Sequence, residues 1–197
     1  MTSVLLPLLT FAIASTFTPG PNNIMLTASG ANFGYKRSLP HIFGIMFGFP
    51  GMMIAIGLGL GQVFTTYPQL HEVLKWVGSA YLLFLAWKIA ISARPEGVGR
   101  EAKPFTFLQA ALFQWVNPKA WIMSVAALTA YTTAEGSYMV QTLIVAGTFF
   151  VVSFPLISLW CLFGALIGRW LKSPRALMLF NGTMAALIVA SIALLYI

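Results

Sequence analysis

The chain contains no aspartate, and its four acidic residues are all glutamates, none of them deep in an apolar run. A carboxylate-based sodium or proton site of the common kind is therefore missing. Two histidines far apart and a single cysteine, Cys161, leave no internal disulfide and no metal site. Cys161 sits within an apolar run and reads as a small buried residue. There is no HExxH, no Walker A motif and no credible Ser/His/Asp set. The chain is not expected to be an enzyme or to hold a cofactor. Charge of either sign is scarce, at 8% of residues, where a soluble domain carries about 25%.

What fills the chain instead is apolar. Of its 197 residues 59% are hydrophobic, and the mean hydropathy is +0.86. Such a composition cannot clothe a surface in water, so an all-α integral membrane protein is expected, with the lipid bilayer as its solvent. Six apolar runs are long enough to span it, at roughly 3–30, 40–61, 70–92, 105–131, 139–167 and 176–196. The first has no basic stretch before it and no small-residue cleavage site after it, so it reads as a retained helix. The connections are short, and residues 1–197 read as one transmembrane domain with no room for another.

The net charge of +7 does not form a nucleic-acid patch. Lys36, Arg37, Arg94, Arg100, Lys103, Arg169, Lys172 and Arg175 fall in the first, third and fifth connections. The second and fourth contain no basic residue, Lys75 lying just beyond the second. Basic loops stay in the cytoplasm, which places both termini outside, in the periplasm of a Gram-negative cell. Tyr67, Trp76, Tyr131 and Tyr138 would then form the outer aromatic belt, and Tyr35, Trp87 and Trp170 the inner one.

A weak internal repeat runs through the six spans. "TPGPNN" in the first is answered by "VNPKAW" in the fourth, Phe49-Pro50 by Phe154-Pro155, and "VGSAYLLFLAW" by "NGTMAALIVAS". Pro19 and Pro118, Phe49 and Phe154, and Gly78 and Gly182 are 99, 105 and 104 residues apart. Each half, about 1–93 and about 104–197, holds three spans. Halves with an odd number of spans insert in opposite directions, as in the inverted repeats of many secondary transporters.

"TFTPGPNNIML" breaks the first span where a break costs most. Lipid cannot hydrogen-bond a freed backbone, so broken helix survives at that depth only against protein or a water cavity. Pro19 and Pro21 lack N–H groups, Gly20 relaxes the chain between them, and Asn22 and Asn23 bring amides. The helix restarting after them presents unpaired N–H groups and a partial positive charge, which suits a carboxylate. In the fourth span Asn117 can cap a new half-helix that begins with Pro118. Lys119 follows, about 20 Å from either interface at about 1.5 Å per residue, beyond easy snorkelling. A mid-membrane ionisable residue is a functional candidate. Gln114, Asn117, Trp121 and Ser124 are spaced to share one helical face that lines a cavity.

Lys119 and His41 are the two candidates for carrying a proton. His41, near the inner end of the second span, reads first as an interfacial histidine, and His71 and Glu72 as solvated. Pro50 and Pro155 read as packing kinks. Gly44-x-x-x-Gly48 and Gly164-x-x-x-Gly168 read as close-packing positions between helices.

"TPGPNN", "GSAYLLFLAWKIA" and "AKPFTFLQAALFQWVNPK", with the six-span length, resemble the LysE/RhtB family of bacterial amino-acid exporters. The wording around these motifs is similar to the cysteine/O-acetylserine exporter branch. The resemblance covers nearly the whole chain. It implies efflux of small neutral amino acids or derivatives, of cysteine/O-acetylserine or homoserine/threonine type, across the inner membrane, driven by proton antiport. Carried over, Pro19, Gly20, Pro21 and Asn22 match the first motif, and Asn117, Pro118 and Lys119 the second. Without an intramembrane carboxylate, a lysine, arginine or cadmium substrate is not expected. The competing expectations are a passive channel for small solutes and an intramembrane enzyme. A homo-oligomer and a chain acting alone both remain open.

Reporters active only in the periplasm should work when fused at Ile197 or within 62–69 and fail within 94–103. Activity at the third connection would reverse the orientation.

Overall fold

In the computed structural model of the chain, residues 2–60, 66–93, 103–133, 135–171 and 173–193 are described. Arg94, Arg100 and Lys172 of the predicted basic connections lie outside them, as do the last four residues. The described residues form α1 (Thr2–Phe17), α2 (Pro21–Arg37), α3 (Leu39–Ala55), α4 (Pro68–Ala90), α5 (Phe107–Val116), α6 (Pro118–Tyr131), α7 (Tyr138–Trp170) and α8 (Pro174–Ala193). A π-helical turn, Ile56–Leu60, continues α3, and a 3-10 turn, Ile91–Ala93, ends α4.

Proline and short polar residues set the starts. Pro21, Pro68, Pro118 and Pro174 each open a helix, where the missing N–H has no partner to lose. Thr106 and Gln109 form a reciprocal capping box on α5, and Ser137 caps α7 through Val140 N. The stretch "NFGYKRSLPH" is a correction to the sequence reading. It was expected to be a loop, yet it is helical on both sides of a turn at Ser38, with Gly34 taking the positive φ of 76°. Pro40 in the first turn of α3 starts the next helix at once.

Among the described residues, three helices are long and apolar enough to cross a bilayer: Leu39–Leu60, Tyr138–Trp170 and Pro174–Ala193. A fourth span is supplied if Val4–Phe17 and Pro21–Arg37, bent by 56°, count as one. The remaining two expected spans differ for identifiable reasons. The 23-residue α4 is long enough but carries Glu72, Lys75 and Lys88. The fourth span is divided at Asn117 into α5 and α6, of 10 and 14 residues, each too short to cross alone. At 33 residues α7 reaches about 50 Å and must tilt or project beyond a core about 30 Å thick.

Outward faces are apolar: Leu6, Ile122, Val151 and Leu179 are each about seven-tenths exposed. Tyr67, Trp76, Tyr138, Trp87 and Trp170 of the two expected belts are exposed. The other two are tied inward, Tyr131 donating to Pro7 O at 3.2 Å and Tyr35 sharing a hydrogen bond with Ser158 Oγ at 3.0 Å.

The inner packing pairs α2 with α7, α3 with α5, and α4 with α8. The breaks divide the core. Leu8 and Ala12 of α1 pack with Ala127 and Leu128 of α6, around Phe49 and Phe149. Met25 and Ala28 of α2 pack with Phe113 of α5 and with α4 and α8, while Leu26 and Ala110 join a third cluster with α3 and α7. Each half-helix is thus anchored in apolar packing on its own side of the break.

Small residues allow these pairs to approach. A Cβ on Gly30 would meet the Cys161 carbonyl, and one on Gly164 the Thr27 carbonyl; both join α2 to α7. Gly44 and Gly48 do the same for α3 against Phe107 and Ala111. Gly30→Val or Gly164→Val should therefore cost about 1–3 kcal/mol or more by overpacking, read as a lower melting temperature in detergent. Gly182→Ala, with nothing within 4 Å of its Cβ, should be neutral or mildly stabilising. Equal effects at all three would show that the α2–α7 approach is not tight.

Candidate functional site

Side chains partner several of the carbonyls at the break in the first span. Pro19 has no N–H for Ser15 O, and Thr18 Oγ1 donates to that carbonyl instead, at 2.7 Å. Asn23 Nδ2 donates to Thr16 O at 3.0 Å and to Thr18 O at 2.8 Å. Gly20, extended at φ −175°, is the N-cap of α2 and provides no side-chain cap. The first-turn N–H groups of α2 at Asn22 and Asn23 are therefore left without a capping side chain.

The break in the fourth span is built differently. Asn117 ends α5 by donating its N–H to Gln114 O, and starts α6 by accepting from Lys119 N at 3.2 Å through Oδ1. It is extended at φ −88° and ψ 110°, so helical register is lost there. This corrects the expectation of one face carrying Gln114, Asn117, Trp121 and Ser124. Gln114 is fully buried, Trp121 Nε1 donates to Trp115 O at 2.8 Å, and Ser124 is fully buried with no partner for its hydroxyl.

Two polar links join the breaks. On one side, Asn22 and Gln114 form a reciprocal amide pair, at 2.8 and 3.1 Å. On the other, Lys119 Nζ donates to Thr18 O at 2.5 Å, Thr18 Oγ1 at 2.9 Å and Pro19 O at 3.4 Å. The ammonium thus sits at the C-terminal end of α1, where unpaired carbonyls and the helix dipole favour a cation. A Cβ on Gly20 would lie 2.7 Å from Lys119 Cδ, which explains the glycine between the two prolines: the lysine chain passes against it.

A cavity of about 40 Å³ lies between these links, room for about three waters at 10–15 Å³ each. Gly20, Asn22, Asn23, Asn117 and Lys119 line it. Pro19, Pro21, Gln114 and Pro118 do not line it; Gln114 is hydrogen-bonded to Asn22, which does. His41 is not brought to the cavity. It lies in the first turn of α3, fully buried, 5.0 Å from the Phe105 ring, with neither ring nitrogen partnered.

Sequence reasoning missed the hydroxyls. Ser15 and Thr16 of α1 and Ser153 of α7 line the cavity, with Ile45, Phe49 and Ile157 as its apolar wall. The Thr16 hydroxyl is buried without a partner. Thr18 lies inside the motif "TPGPNN", but its service as an acceptor follows from the fold alone. Among the described residues no acidic side chain lines the cavity, and the Lys119 ammonium there favours a ligand group that brings its own negative charge.

The chain matches the LysE type translocator family over residues 13–197. It is 34% identical over 137 residues to a cysteine/O-acetylserine efflux protein of Shigella flexneri serotype 5b (strain 8401), covering 68% of this chain and 69% of that protein. Against the protein of the same name from Escherichia coli (strain K12), identity is 33% over 127 residues, covering 64% of each. No solved structure matches.

Proposed function

Because the chain belongs to the LysE type translocator family, we propose that it exports small neutral amino acids or their derivatives across the bacterial inner membrane, in exchange for protons. Its similarity to cysteine/O-acetylserine efflux proteins supports a substrate of that type, homoserine and threonine being the nearest alternatives in size and polarity. The single observation that carries the reading is a cavity at two helix breaks that holds one ammonium, one uncapped helix start and no carboxylate. A zwitterion's carboxylate is received there by the N–H groups of α2 and by Lys119. Thr16 and Ser153 offer hydroxyls to a small polar side chain, and Phe49 and Ile157 limit its size.

The six spans are read as two inverted three-helix repeats, about 1–93 and 104–197, with both termini in the periplasm. The reciprocal packing of α2 on α7 and α3 on α5, with α4 on α8, supports that plan. On this reading the Lys119 link closes the periplasmic half of the path and the Asn22–Gln114 pair the cytoplasmic half. The cavity between them has room for about three waters, and on this reading one link opens for substrate to enter. Alternate opening of the two gives transport without a continuous pore.

Everted vesicles and proteoliposomes test this. Wild-type protein should concentrate labelled O-acetylserine or cysteine against a gradient when a pH difference is imposed. Uptake that only equilibrates would mark a passive path instead. Lys119→Met should leave folded protein but reduce coupled transport by about a hundredfold, in line with the loss of a charge-assisted bond at about 1.5–3 kcal/mol. Lys119→Arg keeps the charge but does not deprotonate. It should retain substrate binding and lose pH-driven accumulation. Coupled transport by the arginine variant at the wild-type level would remove proton exchange from Lys119.

A further inference from the structure

We infer that the acceptor cluster now filled by the Lys119 ammonium, formed by Thr18 O, Thr18 Oγ1 and Pro19 O, is the subsite for the substrate's own α-ammonium, and that substrate binds by displacing the lysine from it. The inference rests on the export reading above and extends it to the other end of the zwitterion.

Three features carry it. A primary ammonium has three N–H donors, and this cluster supplies three acceptors to Nζ. They lie at the C-terminal end of α1, where the proline-rich break frees backbone carbonyls and the dipole is negative. The cluster borders the cavity through Gly20 and Lys119, both of which line it. Lysine and an α-amino acid present the same chemical group, so a site that holds one holds the other. Among the described residues no acidic side chain lines the cavity to provide an alternative cation site.

The consequence is an exchange of partners. In the empty protein Lys119 fills the cluster as a tethered cation, at a high effective concentration. A simple amine cannot displace it, because the displaced lysine would then face the cavity without a counter-ion. A zwitterion can, because its carboxylate receives the released Lys119. Substrate selection thus requires both ends: a free primary ammonium and a carboxylate. N-acylated amino acids lack the first and amines lack the second. The exchange also breaks the link between α1 and α6, so substrate binding and the opening of that side are one event.

The test is equilibrium binding to purified protein in detergent, with 2-aminoethanol as a primary ammonium lacking a carboxylate and choline as its quaternary counterpart. Wild-type protein should bind neither. Lys119→Met empties the cluster and should bind 2-aminoethanol saturably but not choline. Adding Thr18→Val should weaken that binding about tenfold or more through loss of one acceptor to a charged group, and Thr18→Ser should restore it. Lys119→Ala, which empties the cluster and leaves no cation behind, is the second route and should also admit 2-aminoethanol. Lys119→Met and Lys119→Ala proteins that both bind no 2-aminoethanol, or that bind choline equally well, overturn the inference. These readouts are independent of export. Selective amine binding without wild-type transport would sink the proposed function and leave the subsite. Transport without amine binding by either variant would do the reverse.

Discussion

A backbone broken within a membrane must find all its hydrogen bonds inside the protein, and this constraint organises the chain. Pro19 and Pro21 withdraw two donors from the first span. Carbonyls at the end of α1 are met by Thr18 Oγ1, Asn23 Nδ2 and Lys119 Nζ. Lys119 is the one of these that comes from another span, about a hundred residues away in sequence, and its place depends on the second break at Asn117. The two breaks complete each other: one frees acceptors and the other delivers a donor.

The same economy explains the cavity. Between the Lys119 link and the Asn22–Gln114 pair most of the polar walls come from the broken helices, while α3 brings Ile45 and Phe49 and α7 brings Ser153 and Ile157. Those two helices remain unbroken past Pro50 and Pro155 and hold the half-helices through glycine contacts. The division of the core at the breaks gives each half-helix its own packing. α3 and α7 contribute to the clusters on both sides and so join the half-helices to one another. Each link is held by a few hydrogen bonds, each worth about 1 kcal/mol net, or about 1.5–3 kcal/mol where charged, the scale at which a bound zwitterion can compete.

Much of this could be read from the residues, and the limits are physical. The membrane class followed from the scarcity of charge, and the breaks from proline spacing. The cavity residues Gly20, Asn22, Asn23, Asn117 and Lys119 followed from the rule that polar groups at depth must face protein. The face expected from Gln114 to Ser124 failed because helical periodicity does not survive an extended residue at Asn117. The burial of His41 was not legible because position along a span does not reveal which side of a helix is covered, and α3 turns it towards Phe105. Ser15, Thr16 and Ser153 were missed because hydroxyls in apolar helices usually bond their own backbone. Only the packing of α1 and α7 shows which ones reach the cavity.

The central claim, a water-reachable site at the two breaks in mid-membrane, is tested most directly by cysteine accessibility. In a Cys161→Ala background, single cysteines at Ser15, Thr16, Gly20 and Ser153 would be treated with a membrane-impermeant methanethiosulfonate, alongside lipid-facing controls at Ile122 and Val151. The expected result is labelling at the four cavity positions, protection of them by O-acetylserine, and none at the controls. Cavity positions that stay as unreactive as Ile122 and Val151, with or without substrate, would contradict it.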